Sequence, residues 1–112
     1  MVRLTADDIV FPEEITVGNF YYKVFTNKKE SGGSFNGAEC RLTIGTEHLE
    51  SDPNYVWSVI NHEIMEMVFL SFGVRYQDTS VQGNYKFFMD HKEFELCMNE
   101  FSKVIVQFLK IK

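Results

Sequence analysis

Two hydrophobic periods divide this chain. From Ile15 to Thr26 apolar side chains fall at every second position, Ile15 and Val17 and then Phe20, Tyr22 and Val24, with Gly18-Asn19 between them as a two-residue turn. Glu39 to Ile44 alternates again, Cys40, Leu42 and Ile44 against Glu39, Arg41 and Thr43, which predicts a half-exposed strand. The intervening Asn27 to Gly37, NKKESGGSFNG, reads as a glycine-rich connector. The period then lengthens. PNYVWSVINHEIMEMVFLSFGV, Pro53 to Val74, predicts a helix with Asp52 as N-cap, Pro53 at the first helical position and Gly73 as the stop. Arg75 to Lys86 is polar and without a clear period, hence a loop. A second helix is expected from about Met89 to Lys110, with Phe94, Cys97, Met98, Phe101, Val104, Ile105, Phe108 and Leu109 on one stripe. His91 lies in line with that stripe and is expected to face inward. Met1 to Glu14 has little periodicity and reads as a loose N-terminal arm. The expected fold is therefore α+β: one domain over residues 1–112, a small antiparallel sheet of N-terminal strands packed on two long helices.

Composition narrows the function classes. At 112 residues, 45% hydrophobic and 15% aromatic with eleven Phe, the chain is long enough for a core of its own. The net charge of −5 and the lack of a basic patch argue against nucleic acid as a partner. The one long apolar helix is interrupted by ionisable residues and the first ten residues are acidic, so no membrane span and no signal peptide are expected. Cys40 and Cys97 are too few and too far apart for a C-x-x-C motif and fit reduced residues of a cytoplasmic protein.

The chemistry concentrates in the first helix. Between Pro53 and Val74 the only ionisable side chains that carry charge-changing chemistry are His62, Glu63 and Glu66, with no Lys or Arg among them. Carboxylates in apolar surroundings must protonate or find a cation, so the charge comes from elsewhere in the fold or from a metal ion. His62 and Glu66 stand one turn apart, about 40° around the axis, and point the same way. Glu63 is displaced by about 100°, within reach of a water beside such an ion. His-Glu-x-x-Glu departs from the zinc-protease motif His-Glu-x-x-His in its last residue, and catalytic zinc sites accept both ligand types. Without an ion, Glu66 pairs with Arg41 or Arg75. His48, in the loop before the helix, ranks below His91 as a further ligand.

The segments Val59-Ile60-Asn61-His62-Glu63-Ile64-Met65-Glu66-Met67-Val68 and Phe88-Met89-Asp90-His91-Lys92-Glu93-Phe94 resemble the minimal zincin-like metallopeptidase domains of phages and other mobile elements. The order of elements is similar from about Phe35 to Leu109. This resemblance implies zinc held by His62, Glu66 and His91, with Glu63 as general base, and a peptide or protein as substrate or partner. It also implies that an extended peptide lies along an edge strand, Cys40 to Ile44, and that Tyr76 or Tyr85 assists at the oxyanion. The alternative is a non-catalytic protein that keeps the zincin scaffold and binds a partner protein.

Overall fold

A computed structural model describes residues 3–77 and 85–110. The order along the chain is a 3-10 turn (Ala6–Asp8), β1 (Glu14–Val17), β2 (Phe20–Asn27), β3 (Gly33–Asn36), β4 (Arg41–Gly45), α1 (Pro53–Ser71), β5 (Arg75–Gln77), β6 (Tyr85–Phe87), α2 (His91–Ile105) and a second 3-10 turn (Val106–Phe108). The fold is α+β, as the alternation of periods indicates.

The sheet is mixed rather than antiparallel. Its order is β1-β2-β4-β3, with β2 and β4 parallel and the outer pairs antiparallel. The reason lies in the connector. Gly33 to Asn36 is itself a strand, pairing Gly33 with Ile44 and Phe35 with Leu42. The β3-β4 hairpin inserts β4 beside β2, Val24 opposite Leu42, so β4 runs in the same direction as β2. Cys40 is not part of the strand: at φ 53 it closes the turn before Arg41. Arg75 to Lys86, expected as a loop, carries a second, two-stranded sheet of β5 and β6.

One face of the main sheet is covered and the other faces water, a common arrangement where antiparallel pairing predominates. Ile15, Val17, Tyr22, Leu42 and Ile44 are buried under α1, which contributes Val56, Ile60, Ile64, Met67 and Val68. From α2 and the turn beyond it come Cys97, Val104 and Phe108, part of the same core. Phe94 and His91, on the same stripe, are exposed, because the first turn of α2 overhangs what the rest packs on. The N-terminal segment is tied down: Ile9 is buried and bridges Leu109, and Val10 donates its amide to Phe108 at 2.9 Å. Both cysteines are free thiols. Among the described residues no helix is long and apolar enough to cross a membrane.

Sheet and helix approach each other closely at Gly33. A Cβ there would stand 2.9 Å from Val59 Cγ1, 3.0 Å from Glu63 Cγ and 3.2 Å from the Thr43 carbonyl. Any side chain at 33 must therefore push β3 off α1. Gly33→Val is expected to cost about 1–3 kcal/mol, as overpacking does. In a urea titration the midpoint falls at unchanged m-value; an unshifted midpoint would mean that β3 yields freely.

Candidate metal centre

The site is built on the middle of α1 and the turn that ends it. Asp52 accepts the Tyr55 amide at 3.2 Å and Pro53 sits at the first helical position, which fixes where the helix starts. From that start, the helical repeat turns Ile60, Ile64 and Val68 to the sheet and carries Glu63 to the margin that faces β3. His62 and Glu66 lie further round, on the rim.

His62, Glu63 and Glu66 each offer an atom to one group, and these atoms all lie within 4.8 Å of one another. His62 Nε2 is 2.6 Å from Glu66 Oε2, hydrogen-bonding distance for an imidazole N–H and a carboxylate. It is 3.9 Å from Glu63 Oε2. Glu63 is only 7% exposed, whereas the His62 imidazole reaches solvent. Two clefts meet at His62. One, of about 460 Å³, lies between α1 and the start of β3 and is lined by Gly32, Gly33, Ser58, Val59, His62 and Glu63. The other, of about 660 Å³, runs along the outer side of the helix past Asn61, Met65, Glu66, Phe69 and Phe87.

The donor types suit a borderline divalent ion, since zinc takes imidazole nitrogen and carboxylate oxygen. His62 Nε2 and Glu66 Oε2 face each other at 2.6 Å, so an ion held by both must enter between them and displace any proton there.

The missing cation has an answer within the fold. Arg75 Nε stands 3.4 Å from Glu66 Oε1, and the guanidinium lies over the Phe35 ring at 5.0 Å. The end of the helix delivers it. Gly73, at φ 73, donates its amide to Leu70, and Val74 donates to Phe69, the paired bonds of a Schellman turn. The chain thereby doubles back, and the first residue of β5 points towards Glu66. Arg41, the other candidate, pairs instead with Glu39 at 3.9 Å and stacks on Phe25.

His91 is not brought into this group. Its imidazole is 84% exposed and stands 3.4 Å from Glu95 on its own helix. The expectation that it faces inward extended the apolar stripe one turn too far: burial on α2 begins at Cys97. A capping box fixes that first turn, with Asp90 accepting the Glu93 amide at 2.8 Å and Glu93 accepting that of Asp90 at 3.1 Å. His48 meets the Tyr55 ring edge to face and is not part of the group. The side chains of Tyr76 and Tyr85 lie outside the described residues. The edge strand beside the cluster is β3, because β4 is paired on both sides. Gly33 and Phe35 are thus neighbours of the site that periodicity did not mark; the Gly32-Gly33 pair was the available signal.

No family model, curated protein or solved structure matches the chain.

Burial raises the Glu63 carboxyl above its ordinary 4.5; Glu66 adds to this, while His62 and Arg75 oppose it. The folded chain therefore holds this proton more tightly than the unfolded chain. The stabilising contribution is fully present below the ordinary carboxylate value and is lost as pH rises through the raised one. In protein stripped with a chelator, Glu63→Gln is expected to melt higher than wild type near neutral pH, with the gain shrinking towards pH ~4.5. A difference that stays constant across this range would remove burial of the charge as the cause.

Proposed function

We propose that this chain is a zincin-like, zinc-dependent hydrolase of peptide bonds, with His62 and Glu66 as metal ligands and Glu63 as general base. The observation that supports it is the convergence of these three side chains where two clefts meet, with Glu63 beside an edge strand. A divalent ion held there supplies Lewis acidity and a water acidic enough to attack at neutral pH. Glu63 would take a proton from the attacking water and return it to the leaving amine. An extended peptide adds to the outer side of β3, which among the described residues pairs with no strand there, and this brings its carbonyl past Gly33 to Glu63. The edge is thus Gly33–Asn36 and not Cys40 to Ile44, which lies one strand further in.

The third ligand position belongs to His91 by resemblance alone. The geometry favours Glu63 for it, and that supports a second reading. If Glu63 ligates, no base remains, and the chain is a metal-bearing or metal-free scaffold that binds a partner protein. The charge pairing of Arg75 with Glu66, which offers the carboxylate a cation without an ion, favours the same reading.

One set of variants separates these. In the hydrolase, His62→Ala and Glu66→Ala lose zinc, measured by elemental analysis after dialysis, while Glu63→Gln keeps it and loses cleavage of an extended peptide. Zinc lost from Glu63→Gln as thoroughly as from His62→Ala makes Glu63 a ligand and favours the scaffold. His91→Ala is expected to retain zinc; its loss would restore His91 to the ligand set.

A further inference from the structure

Glu66 uses its two oxygens differently. Oε1 faces Arg75 Nε at 3.4 Å, and Oε2 faces His62 Nε2 at 2.6 Å. The guanidinium lies over the Phe35 ring at 5.0 Å and beside the Glu66 carboxylate, where the turn that ends α1 places it. Its side chain is 14% exposed, so it acts at a lower effective dielectric than a surface arginine.

A His-Glu-x-x-His helix brings one carboxylate to its cluster; His62-Glu63-Ile64-Met65-Glu66 brings two. A second anion beside a divalent ion draws down its positive charge and makes it a poorer Lewis acid. We propose that Arg75 acts through Glu66, by its charge, to offset this exchange. It engages Oε1, cancels the charge of Glu66 and leaves Oε2 as a single-oxygen donor, so that the carboxylate acts towards a metal as a neutral imidazole does. This rests on the metal reading above. It differs from simple ion pairing because the pair persists when the metal is bound: the ion enters on the His62 side of the carboxylate and leaves the Arg75 side intact.

Two effects of removing Arg75 oppose each other. Losing a partner that orients the ligand weakens metal binding, and losing a nearby positive charge strengthens it. Charge prevails here, because an oxygen carried by a helix one turn from His62 is already oriented by its backbone. Zinc titration calorimetry on the full chain, after chelator treatment and dialysis, tests this. Arg75→Met is expected to bind zinc about tenfold more tightly than wild type, and Arg75→Lys, which keeps the charge, to stay near wild type. In a Glu66→His background the gain from Arg75→Met is expected to be smaller, since the route through Glu66 is gone and only direct repulsion between guanidinium and ion remains; an equal gain in both backgrounds would make Arg75 a remote charge and overturn the role. With cobalt in place of zinc, Arg75→Met shifts the visible absorption of the bound ion while Glu66→His with or without Arg75→Met gives one spectrum.

Weaker zinc binding in both Arg75→Met and Arg75→Lys would make Arg75 an orienting donor and overturn the charge role. Unchanged affinity in Arg75→Met would overturn it as well, and the metal reading would stand. If neither wild type nor Glu66→His binds zinc or cobalt, the metal reading fails and this inference fails with it. Should Arg75→Met not fold alone, the double variant and Arg75→Lys carry the comparison.

Discussion

The packing of α1 on the sheet through Val56, Ile60, Ile64, Met67 and Val68 sets the position of every group at the cluster. Burying one such side chain is worth about 1.5–3 kcal/mol, so the rotation of the helix about its axis is strongly determined. Once Ile60 and Ile64 face the sheet, Glu63 must lie at the boundary between core and β3, and His62 and Glu66 must lie on the rim. The carboxylate at the boundary cannot retreat into water without unseating its apolar neighbours. The absence of a side chain at Gly33 lets β3 close over it.

That placement gives chemically similar residues different characters. Glu63 and Glu66 are both carboxylates on one helix. Burial dominates the first and raises its pKa, whereas the second is engaged on both oxygens by His62 and Arg75. A buried acid next to a paired one is a division of labour found in hydrolytic sites, where environments push like groups apart. It is also what a partner-binding scaffold would keep if the ion were no longer needed, which is why Glu63 is the residue that separates the two readings.

The helix and its cluster were legible from residue order. Asp52, Pro53 and Gly73 mark the ends of α1 because caps act within one turn. The relation of His62 to Glu66 follows from the helical repeat alone. The strands on either side of Gly18-Asn19 were equally clear, since alternation is local. Arg75 entered only as one of two arginines able to meet Glu66, and the choice between them rests on the direction in which the chain leaves α1.

What only the tertiary structure decided are the features that depend on where a distant segment ends. β3 hides in a glycine-rich connector because a four-residue edge strand has too little alternation to stand out, and its pairing with β4 gives it its identity. The parallel pairing of β2 with β4 follows from that hairpin and not from either strand's own pattern. His91 shares an azimuth with buried residues of α2, but azimuth says nothing of how far the neighbouring surface extends. The first turn runs past it, leaving His91 in solvent beside Glu95. Periodicity thus determined which way each side chain points around its own axis, and the packing of separate segments determined what it meets there.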